Sequence, residues 1–141
     1  MTMSSQQIKL VKSTWFLFRN IDPKLVGDVF YSKLFFDYPQ LRPMFPKKMT
    51  DQYEKLIQML NTIVAGLEDI EALGTAIGAM AERHTGYGVR PEHYDAVGEA
   101  LLWTLEQGLR TDWNEAVKDA WLTCYTILAQ AMISAGNPKM E

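Results

Sequence analysis

With 141 residues, 48% of them hydrophobic and 22% charged, the chain has the material for one sizeable core, and residues 1–141 read as one domain. A net charge of −3, with only the short basic cluster Arg42, Lys47 and Lys48, argues against a nucleic-acid binder, which would concentrate its cations in a stripe. The single cysteine, Cys124, excludes an intramolecular disulfide and a multi-thiolate metal centre, and its apolar surroundings suggest a buried, unreactive thiol. No apolar run is long enough to span a bilayer, and the start MTMSSQQIK carries no signal-peptide core. The expected compartment is therefore the reducing cytoplasm, with no membrane or nucleic-acid partner.

Helical spacing dominates from end to end. Ser4 and Gln7 form a capping box ahead of Ile8, Val11, Trp15 and Phe18. Asp22-Pro23 opens a second helix, with Val26, Phe30 and Leu34 on one side and Gly27 and Tyr31 alongside. Tyr38-Pro39 interrupts it, and a short turn follows, ending at Met44-Phe45-Pro46. Thr50 or Asp51 is the expected cap of a third helix carrying Leu56, Leu60, Ile63 and Leu67, with Gly66 near its end. A further helix is expected from about Asp69 to His84, stopping at Gly86. Pro91 starts the next, with Tyr94, Val97, Leu101 and Leu105 as its stripe. Asp112 and Glu115 should cap the last, which runs through Trp121, Tyr125, Leu128 and Met132 to Gly136-Asn137-Pro138. Six long helices and one short turn, without sustained heptads or repeats, define an all-α domain rather than a coiled coil.

The two histidines differ in setting. His84 continues the line Leu73, Ile77, Met80 and so lies on the buried face of its helix, close to its end. His93 follows Pro91 and falls beside the apolar line of its helix. An imidazole placed like that of His84 can offer one nitrogen to a metal while the other donates to a carbonyl one turn back. Periodicity alone is equally served by a satisfied core histidine.

The stretch Ala81-Glu82-Arg83-His84-Thr85-Gly86-Tyr87-Gly88-Val89-Arg90-Pro91-Glu92-His93-Tyr94, continuing into Val97-Gly98-Glu99-Ala100-Leu101-Leu102, resembles the proximal region of the globins. The resemblance is nearest to bacterial single-domain globins and the haem domain of flavohaemoglobins. It extends through Phe30-Tyr31-Ser32-Lys33-Leu34-Phe35, Pro39-Gln40-Leu41-Arg42-Pro43-Met44-Phe45, Ala120-Trp121 and Tyr125, covering roughly residues 5 to 134. It implies a globin fold enclosing one haem b, with His84 as the proximal iron ligand and Met80 one turn behind. Phe45 matches the aromatic residue that stacks on the porphyrin, and Val89 and Tyr94 complete the proximal contacts. Tyr31 matches a distal tyrosine, Gln52 the distal polar residue and Leu56 the apolar residue above the iron. Taken alone, Tyr31 reads as an amphipathic core tyrosine, Gln52 as a solvated first-turn residue, and Phe45 and Leu56 as ordinary core.

That distal set has a physical reason. Iron-bound O2 carries partial negative charge, and a phenol O–H or an amide N–H can donate a hydrogen bond to it. No histidine precedes His84, so a bis-histidine haem is not expected. The sixth position should be empty, water-filled, or taken by Tyr31, Gln52 or a lysine such as Lys55. The chain departs from flavohaemoglobins at their late glutamate: eleven residues beyond Tyr125 stands Gly136, which weakens a peroxidase-like proximal side. Gly86-Tyr87-Gly88 is not a dinucleotide fingerprint. Sustained turnover would thus call for an external reductase.

The resemblance implies reversible binding of O2, with NO and CO as further ligands, in a monomer or weak homodimer. Nitric oxide dioxygenation is the enzymatic alternative, and gas sensing through a partner protein the third. The basic residues Arg42, Lys47, Lys48 and Arg83 could pair with haem propionates, although a solvated charged face explains most of them better.

Overall fold

The computed structural model describes residues 3–18, 20–68 and 91–136. They form five α-helices: α1 (Ser5–Phe18), α2 (Pro23–Asp37), α3 (Thr50–Ala65), α4 (Pro91–Leu109) and α5 (Glu115–Gly136). Short 3-10 turns stand at Pro39–Met44 and Arg110–Asp112, and no strand occurs among the described residues. The helix expected over Asp69 to His84 lies outside the described residues.

Two of the expected caps form as read from the sequence. The Gln7 amide donates to Ser4 Oγ at 3.1 Å and the Ser4 amide donates to Gln7 Oε1 at 3.0 Å, a reciprocal capping box. Lys24 donates its amide to Asp22 Oδ1 at 3.0 Å, and Pro23 opens α2. The other two differ. Met49 occupies the N-cap of α3 with a helical backbone (φ −97°, ψ −3°), so Thr50 already lies inside the helix and no side chain caps it. Asp112 is taken up in the second 3-10 turn, and Asn114 caps α5 instead, its Oδ1 accepting from the Val117 amide at 3.0 Å. Arg110, the first residue after α4, has φ 50°, in the left-handed region that glycine more often fills.

The apolar stripes converge on one core containing Val11, Trp15, Phe18, Phe30, Leu34, Leu60, Leu105, Trp121 and Leu128. Trp121 Nε1 donates to Thr14 Oγ1 at 2.9 Å, fastening α5 to α1. Trp15 Nε1 donates to Asn61 Oδ1 at 2.7 Å, fastening α1 to α3. Both are buried tryptophans that have found partners for their single donor, as burial requires. Cys124 is 3% exposed, and burial pushes its thiol up to about 12, so it stays protonated and inert as expected. No helix of the described residues is long and apolar enough to cross a membrane.

Helix α2 packs against both α3 and α4. Tyr38 Oη donates to Glu99 Oε2 at 2.7 Å and ties the end of α2 to α4. The approach to α3 is closest at Gly27, where a Cβ would stand 2.5 Å from Tyr53 Cβ. Gly98 plays the same part between α4 and α5, since its Cβ would meet the Tyr125 ring at 2.8 Å. A Gly27→Ala variant must push α2 and α3 apart; we expect a loss of roughly 1–3 kcal/mol in denaturant unfolding despite alanine's better helix propensity.

Candidate functional site

The first wall comes from α2. Tyr31, one turn after Gly27, is 5% exposed and enclosed by rings. Phe30 meets it edge-on at 4.8 Å between centroids and Phe45 at 5.4 Å. Phe35 and Tyr53 stack against it at 5.9 and 5.8 Å. Such a cage holds the ring in one orientation and leaves its hydroxyl as the polar handle.

The second wall comes from the start of α3. Gln52 Nε2 donates to Tyr31 Oη at 3.2 Å, joining residues 21 apart in sequence. That bond fills a lone pair on the phenol oxygen and leaves the O–H proton to be donated elsewhere. Among the described residues no acceptor takes it. Burial is the main reason the Tyr31 pKa is pushed up to about 12; the Gln52 hydrogen bond pulls it back only in part. At neutral pH Tyr31 is therefore a donor. Leu56, one turn beyond Gln52, is buried and apolar.

Phe45 enters from the turn after Pro39–Met44, in extended backbone (φ −116°, ψ 155°). It packs on both Tyr31 and Phe35. Arg42 holds that turn closed: Nη1 donates to the carbonyls of Phe45 (3.3 Å) and Pro46 (3.0 Å), and Nη2 donates to that of Lys47 (3.2 Å). Its guanidinium also lies 5.3 Å from the Phe35 ring centroid. Three of the five N–H donors of Arg42 are thus committed to backbone carbonyls. Lys47 and Lys48 are exposed, and Arg83 lies outside the described residues. We expect Arg42→Ala to loosen the turn and speed transfer of haem to a haem-free acceptor globin. Arg42→Lys should not restore it, since an ammonium lacks the planar fork.

On α4, Tyr94 is half-buried, and its backbone carbonyl accepts from Tyr125 Oη at 2.6 Å. This fixes the first turn of α4 against α5. Burial raises both phenols above their ordinary range, so both stay neutral. The structure therefore brings Tyr31, Phe45 and Gln52 into contact, with Leu56 buried one turn beyond Gln52. His84, Met80 and Val89 lie outside the described residues. Among the described residues no cluster of three or more His, Cys, Asp or Glu could hold a bare metal ion. Two features escaped the sequence reading, the Arg42 clasp and the stack of Tyr53 on Tyr31; the glycine at 27 was the only local sign of a large ring opposite.

The described helices gather one buried phenol and one amide among aromatic rings, an arrangement that fits a haem-binding, gas-binding protein. The globin family model matches residues 28–132, and the chain belongs to the globin family. It is 30% identical to an uncharacterized globin-like protein of Aquifex aeolicus, over 94% of this chain and 93% of that one. It is also 30% identical to a flavohemoprotein of Vibrio cholerae, over 93% of this chain but only 34% of the relative's length. Among solved structures it resembles one described as an engineered carbene transferase and putative nitric oxide dioxygenase from Rhodothermus marinus. That match has a TM-score of 0.87 at 26% identity, covering 97% of this chain and 95% of the other. Haem is the cofactor of this family, and the described residues fit it: aromatic and apolar side chains suit a planar porphyrin, and the buried phenol offers a proton that no described residue accepts.

Proposed function

We propose that the protein binds O2 reversibly at a haem b held through His84, with NO and CO as competing ligands. The observation that carries this reading is the Gln52–Tyr31 hydrogen bond inside a cage of rings, with the phenol proton accepted by no described residue. His84 would supply the imidazole to the iron, on the strength of its sequence surroundings. Phe45, Leu56, Met80, Val89 and Tyr94 would form the porphyrin contacts. When bound, the haem supplies a ferrous iron that holds a diatomic gas and shifts negative charge onto O2.

The chain's own residues do the rest. Tyr31 donates its O–H to the charged ligand, while Gln52 orients it by occupying a lone pair on its oxygen. The rings of Phe30, Phe35, Phe45 and Tyr53, with Leu56, keep water from competing for that proton. Such a site favours O2 over CO, which draws less charge. The test is spectroscopic: the reduced protein in air should give a stable O2-loaded spectrum and release O2 slowly. Rapid oxidation to the ferric form without such a spectrum would count against the proposal.

A second reading is nitric oxide dioxygenation, favoured by the flavohemoprotein and putative dioxygenase relatives. It would use the same Tyr31–Gln52 pair and a reductase acting from outside this domain. Mixing the O2-loaded protein with NO should yield nitrate, and a cellular reductase should sustain turnover. Nitrate formed in one burst, without renewal by any reductase, would leave gas binding as the role.

A further inference from the structure

We infer that Tyr53 and Asp28 form a one-electron exit from the haem site, through which a hydroperoxide reduced there oxidises small phenols at the protein surface. This rests on the haem reading above but concerns two groups that gas binding does not use, the Tyr53 hydroxyl and the Asp28 carboxylate.

Tyr53 stacks on Tyr31 with centroids 5.8 Å apart and planes 23° from parallel, and Gly27 is what allows it so close. The two phenols differ in one respect. Tyr31 is buried, its oxygen accepts from Gln52, and no described acceptor waits for its proton. Tyr53 carries its hydroxyl to the surface, 3.5 Å from Asp28 Oδ1, where the same carboxylate oxygen also accepts from Ser32 Oγ at 3.3 Å. A phenol gives up an electron readily only when its proton can leave with it. Tyr31 can therefore pass an oxidising equivalent but not keep it. Tyr53, with a carboxylate at its hydroxyl and a ring in contact with Tyr31, is where it comes to rest.

The balance closes without any further reagent. Reduction of a hydroperoxide ROOH to ROH and water takes two electrons and two protons. Each electron leaves Tyr53 inward across the Tyr31 ring as the Tyr53 O–H proton passes to Asp28 and on to solvent. Solvent returns one proton to the reduction for each proton so released. A phenol at the surface then gives a hydrogen atom to Tyr53 and restores its O–H. Two phenols become phenoxyl radicals for each hydroperoxide consumed.

The test uses the haem-loaded ferric protein mixed with hydrogen peroxide, frozen rapidly and read by electron paramagnetic resonance, with guaiacol oxidation assayed in parallel. We expect a tyrosyl radical whose signal narrows when ring-deuterated tyrosine is incorporated. Tyr53→Phe keeps the stacked ring and removes only the hydroxyl, so the radical signal and most guaiacol oxidation should be lost while the Soret band of the haem-loaded protein is kept. Asp28→Asn should slow the appearance of the radical. An unchanged signal in Tyr53→Phe, or no tyrosyl radical in a parent protein with an intact Soret band, overturns the exit alone. A parent protein that takes up no haem overturns the haem reading and the exit with it.

Discussion

Replacing Tyr31 with phenylalanine should raise the O2 dissociation rate by roughly one to two decades while changing CO dissociation much less. The size follows from the hydrogen bond removed. A donor aimed at a charged acceptor is worth about 1.5–3 kcal/mol, and each 1.4 kcal/mol is about tenfold in affinity. Phenylalanine preserves the ring contacts with Phe30, Phe35, Phe45 and Tyr53, so packing is held nearly constant and the hydroxyl is isolated. Stopped-flow displacement of O2 by CO, and of CO by NO, reads both rates. Equal acceleration of the two gases would mean that Tyr31 acts by filling space and not by donating a proton. A related expectation concerns pH. The donor is the protonated phenol, and burial pushes its pKa up to about 12. O2 release should therefore stay flat from about pH 6 to 10 and quicken only as pH climbs through the Tyr31 pKa, where the donor is lost. An acceleration centred near the ordinary tyrosine value would show that the phenol is solvated.

Most of the described fold was legible because each helix announces itself in local chemistry. The Ser4–Gln7 box, Asp22-Pro23, the break at Tyr38-Pro39 and the start at Pro91 all depend on residues adjacent in sequence, and all form as expected. The two cap expectations that differ depend on the backbone just before the helix. Met49 is already helical, and Asp112 is already inside a 3-10 turn. Side-chain type cannot reveal that.

The site divides along the same line. Helical spacing put Val26, Phe30 and Leu34 on a buried face but could not tell that Tyr31 meets Gln52 across two helices. Only the resemblance to globins joined them, and their 3.2 Å contact agrees with it. The Arg42 clasp was invisible because a guanidinium bound to three backbone carbonyls leaves no mark in residue type. Tyr53 was passed over for a similar reason: its partner Asp28 sits 25 residues earlier on another helix.

The proposed haem site depends on His84. If this histidine is the one protein ligand to iron, its removal takes away the coordinate bond that fixes the haem, and no second imidazole stands in its place: the only other histidine, His93, lies nine positions further on, in the first turn of α4. The most direct measurement is the absorption spectrum of the purified protein beside that of His84→Ala, each after titration with haemin. The expected result is a red parent protein with a sharp Soret band at one haem per chain, and a variant in which that band is lost or moved to the position of free haemin. A colourless parent that takes up no haemin, or a variant whose Soret band is unchanged, would contradict it.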